Sequence, residues 1–179
     1  MFVSAVQRLI PGTTAYAVVY PASFGPSSPD IGVNDTLRYF DTRPKECPQQ
    51  LYVMSGYSQG GVVMHRAAVK MDKSFLKNRV VAAVTMGDGG QLATKEKPLY
   101  SSPVGPIPVW PAELDGRIKF NCMSGDPVCT GNSINILAHI SYALGNSSED
   151  SAKFVKEQLD KMKGGTAKSF VSRLWTNLM

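Results

Sequence analysis

The stretch Leu51-Tyr52-Val53-Met54-Ser55-Gly56-Tyr57-Ser58-Gln59-Gly60-Gly61-Val62-Val63-Met64-His65-Arg66-Ala67-Ala68 changes character at its middle. The apolar run 51–54 reads as a buried strand and the segment after Gly60 as a helix, which makes Gly56-Tyr57-Ser58-Gln59-Gly60 a strand-to-helix elbow with serine at its apex. An elbow of this kind holds its serine in a cramped backbone conformation. Glycines at 56 and 60 are expected because side chains there would collide with strand or helix. The hydroxyl then stands above the sheet edge. The Gln59 amide falls at the helix N-terminus, where unpaired N–H groups and the helix dipole can stabilise an oxyanion. A chance Gly-x-Ser-x-Gly in an ordinary turn is the alternative, and the strand before it and the helix after it argue against that.

Outward from the elbow, strands alternate with helices. Phe2, Val6, Leu9 and Ile10 share one helical face, and Pro11-Gly12 ends the segment. Ala15 to Tyr20 reads as a short buried strand and Pro21 to Val33 as loop. A helix around Leu37 and Phe40 then stops at Arg43-Pro44. The helix from Gln59 is expected to reach about Lys73. Val80 to Met86 is a continuous apolar run of the kind buried on both faces of a parallel sheet. Residues 87–116 carry five prolines and read as an extended surface loop. Arg117 to Cys122 resumes as a strand, and a helix capped by Ser148 presents Ala152, Val155, Leu159 and Met162 on one face. Phe170, Val171, Leu174 and Trp175 suggest a last amphipathic turn. The alternation predicts an α/β three-layer sandwich, a mostly parallel central sheet with helices on both faces and function at the C-terminal strand ends.

Length and composition bound the reading. With 179 residues, 43% hydrophobic and 18% charged, the chain is expected to fold as one globular domain, 1–179, around one core. No apolar stretch approaches the ~20 residues of a transmembrane helix. The net charge of +5 is spread along the chain, with no zinc-finger spacing and no basic repeat, so nucleic-acid binding is disfavoured. A flavodoxin-like cofactor binder is disfavoured too, because no Gly-x-Gly-x-x-Gly follows a first strand. Cys122 and Cys129 flank a short turn-rich loop that a disulfide could close, which leaves Cys47 over. Met1 to Arg8 is no signal peptide, its apolar run being short and interrupted. Either a leader has been removed or the numbering begins inside a longer protein. Sequons at Asn34 and Asn146 agree with secretion.

An elbow serine needs a base, and the chain has two histidines. His65 lies about two helical turns beyond Ser58, roughly 10 Å along the axis and too far for a hydrogen bond. It reads as structural. His139, in Asn135-Ile136-Leu137-Ala138-His139-Ile140-Ser141-Tyr142, follows the last strand, where a loop can carry it over the serine. The third member should be a rigidly held carboxylate. Asp126 qualifies, since a disulfide would clamp its loop; an Asx turn in Gly125-Asp126-Pro127 is the alternative, and Asp88 is a rival acid. Ser58, Asp126, His139 is the chain order expected of an α/β-hydrolase.

Gly56-Tyr57-Ser58-Gln59-Gly60, then Cys122-x-x-x-Asp126-Pro127-Val128-Cys129, Thr130-Gly131 and His139-x-x-Tyr142, together resemble the cutinase family of secreted serine esterases. Tyr20-Pro21-Ala22 and Cys47-Pro48 extend the likeness over roughly residues 2–160. The resemblance implies Ser58 as nucleophile, His139 as base, Asp126 as acid and the Gln59 amide as one oxyanion donor. It also implies apolar borders to the site near Ala22-Ser23-Phe24 and at Ile134, Ile136 and Leu137, for which ordinary core filling is the alternative. The expected activity is hydrolysis of cutin or other aliphatic esters through an acyl-enzyme, by a secreted monomer needing no metal or cofactor. An acetylxylan esterase and a non-catalytic relative are the alternatives. The front of the chain departs from the family. The resemblance calls for a first strand in the middle of the sheet, a following serine or threonine as second oxyanion donor and a cysteine to pair with Cys47, and the sequence has none of these. Cys47 is therefore expected to be unpaired. Strand Ala15 to Tyr20 would then close directly on strand Leu51 to Gly56, unless the chain is a truncated product.

Overall fold

The computed structural model describes residues 1–133 and 135–176, without the side chains of 143 and 165–176. The helices are α1 (Phe2–Leu9), α2 (Ser28–Glu46), α3 (Gln59–Ala68), α4 (Lys73–Arg79), α5 (Pro127–Thr130), α6 (Ile136–Ile140) and α7 (Ser147–Thr176). The strands are β1 (Tyr52–Tyr57), β2 (Val80–Met86), β3 (Leu99–Ser102), β4 (Gly105–Pro108) and β5 (Ile118–Asn121). β1, β2 and β5 form a parallel sheet in that order, and β3 and β4 form a separate antiparallel hairpin.

Register positions the site. Tyr57 pairs with Met86 and Met86 with Asn121, so the three strands end in one row. The loops that leave this row start at Ser58, Gly87 and Cys122, and they meet at one rim. β2 is buried from Val80 to Thr85, as expected of a strand covered on both sides. On one face Val81 and Val84 pack with Ala5 and Val6 of α1 and Ala152 and Val155 of α7. On the other, Val80 and Ala83 join Val33 of α2, Val63 and Met64 of α3 and Leu76 of α4. Burying one such side chain stabilises the fold by about 1.5 to 3 kcal/mol, which anchors the rim to the sheet.

Several elements depart from the expected pattern. α2 starts at Ser28, inside the segment expected to be loop: Pro29 lies in its first turn, where no intrahelical N–H is needed, and Asp30 complements the N-terminus. It also runs through Pro44 to Glu46 instead of stopping before it. The helix begun at Gln59 ends at Ala68, and α4 restarts after Asp72, whose carboxylate accepts the Phe75 amide at 2.7 Å. The segment 87–116 is not plain loop, since it holds the β3–β4 hairpin. Of the terminal hydrophobic residues from Phe170 to Trp175, the backbone continues α7, while the side chains lie outside the described residues.

Ala15 to Tyr20 is not a strand, and Ala15, Tyr16, Ala17 and Val19 are exposed. The reason is a competing anchor. Asp35 of α2 accepts the Tyr16 hydroxyl at 2.8 Å and the Val19 amide at 2.9 Å, which hangs the segment from α2. Among the described residues β1 therefore pairs with β2 alone. A groove of about 610 Å³, lined by Phe2, Val6, Tyr16, Tyr52 and Val53 among others, runs beside β1 and does not include Ser58. No helix among the described residues is long and apolar enough to cross a membrane.

Candidate active site

Ser58 sits between β1 and α3 with φ 52° and ψ −119°, a positive-φ conformation rare for a residue with a side chain. Gly56 makes this elbow possible, because a Cβ there would stand 2.3 Å from the Gly60 carbonyl group. Gly60 differs from the expectation: a Cβ on it would meet nothing nearer than the Tyr20 hydroxyl at 3.9 Å. What the elbow needs at position 60 is its backbone, tucked against Gly56. The Ser58 amide donates to Met86 O at 2.8 Å, tying the apex to the end of β2. The Gln59 amide opens α3, where N–H groups have no intrahelical partner. The Gln59 side chain turns away, donating to Ser23 O at 2.9 Å and accepting from the buried Ser28 hydroxyl at 3.1 Å.

His139 Nε2 lies 2.8 Å from Ser58 Oγ, and Nδ1 lies 2.9 Å from Asp126 Oδ2. A carboxylate only accepts, so Nδ1 carries the proton and Nε2 is free to take one from the serine. Asp126 is fully buried and His139 only 7% exposed, so this row is shielded from water except at the serine end. Asp126 also caps α5 through the Val128 amide at 2.8 Å, so its turn-forming role and its contact with His139 coexist. Cys122 and Cys129 form a disulfide across this loop, and Cys47 is free.

Two tyrosines complete the support. The Tyr142 hydroxyl donates to Asp126 Oδ2 at 2.6 Å and accepts the Met123 amide at 2.9 Å. Burial, then the adjoining carboxylate, push its pKa well up. Burial works to raise the Asp126 pKa, but the hydrogen bonds from Tyr142, His139 and Val128 outweigh it and hold the carboxyl below its ordinary range. Tyr57 donates to His139 O at 2.8 Å, and its ring stacks on the imidazole with centroids 5.2 Å apart. Neither tyrosine's role is evident from the sequence alone. For Tyr142 the available signal is the short His139-x-x-Tyr142 spacing, which carries it from the end of α6 into the next turn, Ser141–Leu144.

Ile136 and Leu137, on the same short helix as His139, are 57% and 66% exposed, so core filling does not explain them. Ile140, Leu144 and a wholly exposed Phe24 add to the apolar exposed surface. Ile134 lies outside the described residues. Asp88, the rival acid, is not at His139: it bonds His65 Nε2 at 2.9 Å on the buried side of α3.

A parallel sheet with helices on both faces, carrying a strained serine at the C-terminal end of one strand, is the architecture of an α/β-hydrolase. Within that class the Cutinase family model matches residues 1–159, and the chain belongs to this family. It is 38% identical over 115 residues to cutinase 4 of Emericella nidulans, covering 64% of this chain and 41% of that protein. It is 30% identical to carboxylesterase Culp1 of Mycobacterium tuberculosis, covering 89% of this chain and 72% of that one. Among solved structures, an acetylxylan esterase superposes with a TM-score of 0.70 at 28% identity, covering 88% of both chains. A Trichoderma reesei cutinase in complex with a C11Y4 phosphonate inhibitor superposes with a TM-score of 0.66 at 27% identity, covering 88% of this chain and 65% of that one. The chain spans about half the length of the fungal cutinases it matches, 41% of one and 54% of another.

Proposed function

We propose that this protein is a secreted serine esterase of cutinase type that hydrolyses carboxylic esters through an acyl-enzyme, with Ser58 as nucleophile, His139 as general base and Asp126 as its orienting acid. The observation that carries this reading is the continuous row from Asp126 through His139 to the Ser58 hydroxyl, at 2.9 and 2.8 Å, with the serine on a strained elbow. His139 Nε2 takes the serine proton as Oγ attacks the ester carbonyl. The Gln59 amide receives the developing oxyanion. The alcohol departs with the proton from His139, and water, activated by the same imidazole, then releases the acid. Exposed Ile136 and Leu137 beside His139 support an aliphatic acyl or polyester substrate such as cutin. Acetylated xylan is a second reading, favoured by the likeness to the acetylxylan esterase.

A fluorescent alkyl phosphonate tests the reading. Labelling that disappears in Ser58→Ala supports it, whereas well-folded wild-type protein that stays unlabelled points to a non-catalytic member of the family. Turnover of p-nitrophenyl acetate against a long-chain ester, and acetate release from acetylated xylan, separates the two substrate classes.

A further inference from the structure

A second imidazole–carboxylate pair lies beneath the site, and the reaction described above makes no use of it. His65 and Asp88 are 0% and 1% exposed. His65 Nδ1 lies 2.6 Å from Pro108 O and Nε2 lies 2.9 Å from Asp88 Oδ2. A carbonyl only accepts, so Nδ1 carries a proton, and the contact between Nε2 and the carboxyl then needs a further proton shared between them. Asp88 Oδ1 accepts the Gly90 amide at 2.8 Å. The pair is closely walled, since a Cβ on Gly90 would stand 2.4 Å from His65 Nε2 and one on Gly61 2.6 Å from Asp88 Cγ. Trp110 packs on the imidazole with centroids 4.3 Å apart. Burying such a pair is an inefficient way to gain stability, because apolar residues of the same volume do as well or better.

Its placement points to another role. Asp88 ends the strip Met86-Gly87-Asp88, which touches every member of the candidate row. Met86 O holds the Ser58 amide at 2.8 Å. Gly87, at φ +58°, lies directly against the other two: a Cβ there would be 2.8 Å from His139 Cε1 and 3.0 Å from Asp126 Oδ2. His65 belongs to α3, the helix that Ser58 opens. On the esterase reading above, we propose that His65 and Asp88 are positioning residues. Their hydrogen bond latches this strip to the nucleophile's helix and so fixes the distance between Ser58 and His139. With the latch cut, helix and strip shift independently, and a misplacement of about 1 Å can lower the rate about a hundredfold.

The test is a rescue series. Asp88→Ala removes the latch, whereas Asp88→Asn can rebuild it, its amide donating to the unprotonated Nε2 and its oxygen still accepting from Gly90. Turnover is measured per phosphonate-titrated site, well below each variant's unfolding temperature, so that loss of folded protein does not enter. Asp88→Ala and His65→Phe are expected to lower kcat about 10- to 100-fold with KM within about twofold, and Asp88→Asn to stay within about threefold of wild type. Wild-type kcat in both disrupted variants, or an Asn variant no better than Ala, overturns the proposal. Crystal structures of the two Asp88 variants read the latch without activity. Ser58 Oγ and His139 Nε2 should part beyond hydrogen-bond distance in Asp88→Ala and remain bonded in Asp88→Asn, and an unchanged distance in both overturns it. A wild type that hydrolyses no ester would refute the esterase reading alone, with the latch still decided by that distance.

Discussion

Around the row of Ser58, His139 and Asp126, single groups set what each member can do. Asp126 fixes the tautomer of His139, and Asp126→Asn keeps the shape while presenting a donor to Nδ1. The expected result is a fall in kcat of about 10⁴ with KM little changed, measured on a soluble p-nitrophenyl ester. A fall of less than tenfold would mean that another group orients the imidazole. Gly87 is a second such point. Alanine there meets both an unfavourable φ of +58° and a contact 2.8 Å from His139 Cε1. Gly87→Ala is therefore expected to slow phosphonate labelling of Ser58 about a hundredfold or more while the protein stays folded by circular dichroism. Tyr142→Phe deletes the shortest bond to the Asp126 carboxylate, at 2.6 Å. The expected loss is about 1.5 to 3 kcal/mol in urea unfolding, since the lost bond is to a charged group.

Beside the Ser58 elbow, two elements present the other members of the candidate row: the disulfide-closed loop carries Asp126, and α6 carries His139. The loop joins cysteines separated by 7 positions, and closing a loop this short confers about 2 to 3 kcal/mol by limiting the unfolded chain. Mild reduction should lower the unfolding midpoint accordingly and reduce esterase activity at a temperature where the protein remains folded. Retained activity would show that α5 packing alone holds Asp126. α6 turns Ile136 and Leu137 outward while His139 points in. Replacing both outward residues by serine should raise KM for a long-chain ester about tenfold, a change of about 1.4 kcal/mol, and leave acetyl esters nearly unaffected. Equal effects on both substrates would remove these side chains from acyl recognition.

For the molecule as a whole, two buried carboxyls link stability to pH. Burial raises the Asp35 pKa, and the bonds from Val19, Tyr16 and Arg38 overcompensate and lower it; Asp126 is lowered in the same way. Both bind protons less tightly folded than unfolded. Their contribution is complete above the unfolded carboxyl pKa of about 4 and is lost as pH falls through the lower folded values. The urea midpoint should hold level from neutral pH to about pH 5 and fall below that. Asp35→Asn should start lower and fall less steeply, and parallel curves would show that Asp35 takes no part. Asp35 also explains why Tyr16 to Val19 hangs beside a groove instead of extending the sheet at β1.

The sequence by itself determined what depends on neighbours along the chain. The elbow at Ser58, the buried strand Val80 to Met86 and the cysteine-flanked loop around Asp126 are all written in local spacing, and of the two histidines His65 is excluded as a partner of the serine by its distance along the helix. Tertiary structure decided the rest. Whether Ala15 to Tyr20 forms a strand depends on a carboxylate 16 residues beyond Val19, and no local pattern reports that competition. The proline-rich start of α2 reads as loop because proline is unfavourable in a helix interior yet well placed in a first turn, and only packing against α3 shows which case applies. Asp88 stands in the sequence as a rival to Asp126, and the fold turns Asp126 toward His139 and Asp88 toward His65, because a carboxylate's partner is set by which loops meet in space.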